Sequence, residues 1–253
     1  MKPFAGAWVL DPSQCDYGDQ PVPLSGLYTI VPSGAALELH IRWQLPGQEP
    51  ESAAFAVTPG GPALDLGEGR QLSCTVPAPD TLVTALTQGD TVLHHASRVV
   101  SGSTMTITQR TPEGETRSVY RRSPIKQVLV YRRDLKMRKG KIAAQVAHAS
   151  MRVFFKRAAA SGQTMQIPLS PAMSLWVQGR FTKVVLSVGS EEDLLAIHEA
   201  AKARGVPTAL ITDSGKTEFN GVPTRTTVAV GPAAAVEIDP ITGRDGLVAT
   251  KLA

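Results

Sequence analysis

Gln127-Val128-Leu129-Val130-Tyr131-Arg132-Arg133-Asp134-Leu135-Lys136-Met137-Arg138-Lys139-Gly140-Lys141-Ile142-Ala143-Ala144-Gln145-Val146-Ala147-His148-Ala149 is the stretch on which the reading of this chain turns. Gln127–Arg132 is an apolar run of strand length. A basic turn follows it. From Lys141 to Ala160 the composition is helical, rich in Ala, Gln, Met and Lys, with no internal Gly or Pro. A helix N-terminus leaves backbone N–H groups unpaired and carries partial positive charge, to which these lysines add full charges. Such a junction suits a phosphate or a developing oxyanion. Charge alone is equally compatible with a solvated basic loop.

Toward the C-terminus, strands and helices alternate. Lys183–Val188 is a second buried-type strand. Ser190 can cap the following helix, and Glu191, Glu192 and Asp193 suit its first turn. Gly205 fits just past its end. Thr208–Thr212 and Thr226–Val230 are two further strands, and Pro232–Ile238 is expected to form a short last helix. The expectation is an α/β domain with a central mixed sheet of about four strands flanked by helices. Asp213-Ser214-Gly215-Lys216-Thr217 then places a carboxylate and a hydroxyl at the rim of that sheet, where α/β proteins bind ligands. By itself Asp-x-Gly is a common turn.

Toward the N-terminus the period changes to two. Leu27–Val31, Ala36–Trp43, Ala53–Val57, Gln71–Val76, Thr81–Leu86, Thr91–Val99, Thr104–Gln109 and Thr116–Tyr120 alternate apolar with polar residues. Turn chemistry separates them, as at Pro46-Gly47 and Gln88-Gly89-Asp90. Many short strands joined by tight turns indicate an antiparallel barrel or sandwich. No convincing helix precedes Gly140. The boundary falls near Arg121–Pro124, giving domains 1–122 and 123–253.

Charge divides the chain at the same place. The first 122 residues hold 8 Lys+Arg and 12 Asp+Glu, and the remainder holds 18 and 10. Any polyanion is therefore expected to bind the second domain. No apolar run reaches the roughly 18 residues of a membrane span, and Asp11 interrupts the first apolar stretch too early for a secretory signal, so a cytoplasmic protein is expected. Cys15 and Cys74 lack metal spacing and read as ordinary thiols. His94 and His95 are adjacent on a strand and point to opposite faces. They, with His40 and His198, are background. No metal cluster, phosphate loop or dinucleotide fingerprint is read, so no cofactor is expected.

The run Arg132–Ala149 resembles the signature of peptidyl-tRNA hydrolases of the second (archaeal and eukaryotic) type. The departures are Arg138, where that family usually has glycine, and Arg133, where it has a smaller polar residue. Pro207–Phe219 resembles a second block of the family, and Gly221–Thr224, Gly231-Pro232 and Ile238–Gly243 resemble its ending. The first half resembles small bacterial lipocalin-like barrel proteins, through Gly6–Gly18 and Ser97–Arg122. That likeness implies a barrel and no particular ligand.

The hydrolase resemblance implies that Lys141, Asp213 and Thr217 are catalytic, acting by direct attack of water on the ester between a peptide and tRNA. Asp213 would orient or deprotonate the water, Lys141 would stabilise the oxyanion, and Thr217 would hold the water or the ribose. Lys136, Arg138, Lys139, Gly140, Arg132 and Arg133 would grip tRNA, together with Lys156, Arg157, Arg180 and Lys183. Gln145 is an accessory polar group, and His148 is given a structural or RNA-side role. The resemblance also implies a homodimer through the second domain. Two alternatives stay open: the same fold recruited to process an aminoacyl or peptidyl substrate in biosynthesis, or a non-catalytic module in which the barrel captures a ligand or protein.

Overall fold

In the strand Ala36–Gln44, Leu37 and Leu39 are fully buried while their neighbours are not. This period of two recurs through the first half, and one face of each strand turns inward. The computed structural model describes residues 3–243 and 245–253, and the chain divides between Ser123 and Pro124 into two compact units.

The first unit has ten strands: β1 (Gly6–Leu10), β2 (Ser25–Ser33), β3 (Ala36–Gln44), β4 (Glu51–Val57), β5 (Leu64–Asp65), β6 (Arg70–Ala78), β7 (Thr81–Gln88), β8 (Thr91–Ser101), β9 (Thr104–Thr111) and β10 (Gly114–Ser123). They form one antiparallel sheet in the order β4-β3-β2-β1-β10-β9-β8-β7-β6-β5. β1 pairs with both β2 and β10, joining the two ends of the unit. The sheet curls until its edges nearly meet: Gly60, just after β4, donates its N–H to the carbonyl of Cys74 on β6 at 2.9 Å. The result is a nearly closed barrel with Phe4, Trp8, Ile30, Leu37, Leu82 and Met105 inside. β1 and β5 were not read as strands, being short. Cys15 and Cys74 are both free.

The second unit contains β11 (Ile125–Arg132), α1 (Lys139–Phe155), the hairpin β12 (Ala159–Ser161) and β13 (Thr164–Gln166), α2 (Pro171–Gln178), β14 (Lys183–Val188), α3 (Glu191–Ala203), β15 (Thr208–Asp213), β16 (Thr224–Ala234), α4 (Ala235–Thr242) and β17 (Lys251–Leu252). Its sheet runs β15-β16-β11-β14-β17. β11 and β14 are parallel, and the other pairings are antiparallel. The sheet is mixed, as expected, with five strands where about four were read; the fifth is the two-residue edge β17. The last helix begins at Ala235 and not at Pro232, because Ala233 and Ala234 are still paired to Lys126 and Ile125 of β11. Helix α2 and the hairpin before it were not foreseen.

Alternation along the central strands feeds two cores. Leu129, Ala209 and Ala229 face α1 and α2, while Val128, Val130, Val228 and Val230 face α3 and α4. Buried on both faces, these strands read as continuous apolar runs.

Candidate active site

β11 and β15 end on the same side of the sheet, and α1 starts beside them. Arg138 is the N-cap of α1, with φ −61° and ψ 151° and no capping side chain, so the first amides of the helix are open. Lys141 in the first turn and Gln145 one turn on therefore face the last residue of β15, Asp213.

Lys141 Nζ donates to Asp213 Oδ2 at 2.6 Å and to Thr217 Oγ1 at 3.0 Å. Gln145 Nε2 donates to the same Asp213 oxygen at 2.8 Å. The backbone N–H of Gly215 donates to Asp213 Oδ1 at 2.9 Å. Lys141 and Asp213 are mostly buried, with side chains 11% and 13% exposed, so their attraction is less screened than at an open surface. The hydrogen bond from Lys141 is the main cause that holds the Asp213 carboxyl below its ordinary value, with burial opposing it.

Gly215 is required where it stands. Its φ is 77°, and a Cβ there would meet the carbonyl oxygen of Val222 at 2.4 Å and its nitrogen at 2.7 Å. This closeness folds 213–222 back on itself, with Gly221 N–H bonded to Gly215 O at 3.0 Å. The fold sets Thr217 over Lys141 and brings the Phe219 ring centroid to 5.7 Å from Lys141 Nζ.

Other residues around the site had no clear signal in the sequence. Thr226, fully buried on β16, donates to Gln145 Oε1 at 2.6 Å, which turns the amide nitrogen of Gln145 toward Asp213. Glu218 takes a hydrogen bond from Arg138 Nε at 2.8 Å. Arg138 therefore costs the loop little as a replacement for glycine. Its backbone is extended, a conformation any residue adopts, and the left-handed residue of the loop is Lys136, with φ 50°.

The basic residues separate into two groups. Lys136, Arg133 and Lys139 are exposed. Arg132 is not open in the same way: its side chain, 12% exposed, bridges Asp134 at 2.7 Å and Glu191 at 2.5 Å and reaches the carbonyl of Arg225. Lys156 bonds the carbonyl of Thr208, and Arg157 bonds that of Pro168 at 3.3 Å. Lys183 lies 3.3 Å from the Phe181 ring centroid, its pKa lowered by burial, and Arg180 is exposed. His148 is exposed on α1 beside a groove of about 330 Å³ with Met151, Phe155 and Ile211, apart from the Lys141–Asp213 cluster. Gly140 is exposed in the first turn of α1.

Fold and cluster together define an α/β unit with a polar site at the carboxyl ends of its strands, beside a helix N-terminus. A family model described as peptidyl-tRNA hydrolase PTH2 matches residues 125–247. A peptidyl-tRNA hydrolase of Methanopyrus kandleri is 44% identical over 118 residues, covering 47% of this chain and 93% of the relative. One of Halobacterium salinarum is 41% identical over 120 residues, covering 47% and 96%. The probable peptidyl-tRNA hydrolase 2 of Drosophila melanogaster is 38% identical over 118 residues, covering 47% and 59%. The chain belongs, through its second unit, to the PTH2 family of peptidyl-tRNA hydrolases.

Among solved structures, the REP1-NXSQ fatty acid transporter is similar at 14% identity and a TM-score of 0.36, over 49% of this chain and 99% of that one. A Schistosoma mansoni fatty acid binding protein in complex with arachidonic acid is similar at 15% identity and a TM-score of 0.36, over 49% and 98%.

Proposed function

We propose that the second unit hydrolyses the ester between a peptide, or an N-blocked amino acid, and tRNA, and so releases free tRNA. Family membership supports the substrate class. The observation that carries the chemistry is the sharing of Lys141 between Asp213 and Thr217 at the open end of α1.

Donor and acceptor counting supports a division of roles. An ammonium has three donors, and Lys141 commits two of them within the cluster. The third is free for the oxyanion of the tetrahedral intermediate, aided by the open amides at the start of α1. Thr217 accepts from Lys141, which leaves its own O–H to donate to the ribose oxygen or the water. Asp213 Oδ1 accepts one backbone N–H and retains capacity to orient a water. Its lowered pKa makes it a weak base, so orientation is favoured over full proton abstraction. The water proton ends on the departing ribose oxygen.

Phosphate contacts would come from Lys136, Arg133 and Lys139, which are exposed and form no side-chain ion pair among the described residues. They would read little sequence. A homodimer through this unit belongs to the same proposal, with the exposed Met151 and Phe155 of α1 as its candidate face.

Lys141→Ala and Asp213→Asn, assayed on N-acetyl-aminoacyl-tRNA, are expected to lose release by on the order of a hundredfold or more, the loss of one preorganised group. Near-normal turnover in both overturns the proposal. Aminoacyl-tRNA and small peptide esters run beside it separate a tRNA hydrolase from an enzyme that tailors another acyl substrate.

A further inference from the structure

Phe219 stands beside the candidate active site without a donor or acceptor to offer its chemistry. Its backbone φ is 67°, and Asn220 and Gly221 follow at 52° and 79°. A bulky side chain in the left-handed region is an outlier, and it persists only where the surroundings hold it. Here both flanks are held. Glu218, the residue before, accepts from Arg138 Nε at 2.8 Å, and the Phe219 carbonyl accepts from the Val222 N–H at 2.9 Å. The ring is partly buried and belongs to neither apolar core of the second unit. Packing into the interior therefore does not explain its place.

What the ring adjoins is the polar cluster. Its centroid lies 5.7 Å from Lys141 Nζ, within reach of a cation–π contact. Lys141 also donates to Thr217, two residues before Phe219, at 3.0 Å. Lys141, Thr217 and Phe219 thus offer a cation, a hydroxyl and a flat apolar face beside one another. Peptidyl-tRNA presents groups that suit them on the same scale: an acyl carbon, the ribose that carries it, and an adenine on that same sugar. The base is one sugar ring-width from the ester. Every base has a π-face that stacks on an aromatic side chain, and single-stranded RNA ends are commonly held in this way.

From this arrangement we propose that Phe219 is a stacking platform for the terminal adenine of tRNA, and so sets the ribose ester against Lys141 and Thr217. This rests on the hydrolase reading of the same site. A phenyl ring forms no hydrogen bond with base edges, so it takes the base by its face. Arg138 acts indirectly, because its pair with Glu218 pins the residue that precedes the ring. A ring already held before the substrate arrives loses less freedom on binding.

Two N-acetyl-aminoacyl-tRNAs test the proposal, one intact and one whose terminal nucleotide lacks its base, with kcat/KM of the full chain measured on each. The intact substrate is expected to be favoured by about tenfold, the worth of one stacked base. Phe219→Leu, apolar but not flat, is expected to lose that factor on the intact substrate and to leave the abasic one unchanged. Phe219→Tyr keeps the ring and is expected to keep the preference. A Phe219→Leu variant that slows both substrates alike places the ring against the acyl group or in a structural role, and overturns the proposal. So does one that retains the preference. Release from both substrates at one rate by the unmodified chain overturns the platform alone, whereas no release from the intact substrate overturns the hydrolase reading and the platform with it. If Phe219→Leu does not fold, the ratio on the unmodified chain decides.

Discussion

The carboxamide nitrogen of Gln145 donates to Asp213 Oδ2 at 2.8 Å, on the same oxygen that Lys141 holds at 2.6 Å. The amide can do so because its oxygen is fixed elsewhere, by the buried hydroxyl of Thr226. A chain of bonds from Thr226 through Gln145 thus sets the direction of the carboxylate. Thr226→Val keeps shape and removes the donor, leaving Gln145 Oε1 buried and unsatisfied. Stability is expected to fall by about 1–3 kcal/mol, the usual cost of such an orphan, as read by chemical denaturation. kcat is expected to fall with little change in KM, since Thr226 touches no substrate. An unchanged kcat would show that Gln145 does not orient Asp213.

Asp213 carries a pH prediction with a definite sign. Its carboxyl is held below the ordinary value of about 3.9, chiefly by the Lys141 hydrogen bond. A carboxyl whose pKa is depressed on folding adds stability above its unfolded value and loses it as pH falls through its folded value. Carbon-detected NMR of the Asp213 carboxyl is therefore expected to give a titration midpoint below that ordinary value. In Lys141→Met the midpoint should rise, because the largest cause of the lowering is gone while burial remains. A midpoint unmoved by that substitution contradicts the assigned cause.

The basic surface divides into exposed residues without an ion pair among the described residues and residues that brace. Arg132 is bound by Asp134 and Glu191, so Arg132→Ala leaves Asp134 without its cation and Glu191 with Arg225 alone, and should lower the melting temperature of the second unit. Arg133→Ala and Lys139→Ala should leave melting unchanged and weaken tRNA binding. Each should also reduce the slope of log K against log salt by about 0.7–0.9, one phosphate contact apiece. Equal behaviour of all three variants in both assays would remove the distinction.

Much of the site was legible because its parts lie in two short blocks. Lys141 sits where a helical pattern follows a basic turn, and Asp213 sits where a strand gives way to Gly215; these patterns alone were ambiguous, and the resemblance of both blocks to the hydrolase family singled the residues out. Thr226 was not legible. It stands in a run of threonines that any strand might carry, and its bond to Gln145 spans 81 residues. The bracing role of Arg132 was hidden for the same reason, since Glu191 lies 59 residues away. Helix α2 was passed over although Ser170-Pro171 held the signal: the Ser170 hydroxyl accepts from the Met173 N–H, and Pro171 opens the helix. Its eight residues are too few for a clear 3.6-residue period.

Gly215 joins the local backbone to the chemistry most tightly. Its positive φ and its contact with Val222 both exclude a side chain, and its N–H holds the free oxygen of Asp213. Gly215→Ala must shift the 213–222 loop to clear the Val222 carbonyl at 2.4 Å, or unfold the turn. Strain of this kind costs on the order of 1–3 kcal/mol, so a fall of several degrees in melting temperature is expected. Catalysis should fall further than stability accounts for, because Thr217 rides on the same loop and Asp213 loses its backbone donor. The comparison is kcat measured well below the melting temperature, where the variant is fully folded. A variant that melts early yet turns over normally in the cold would show that the loop closes without its glycine, and that Asp213 does not depend on the Gly215 N–H.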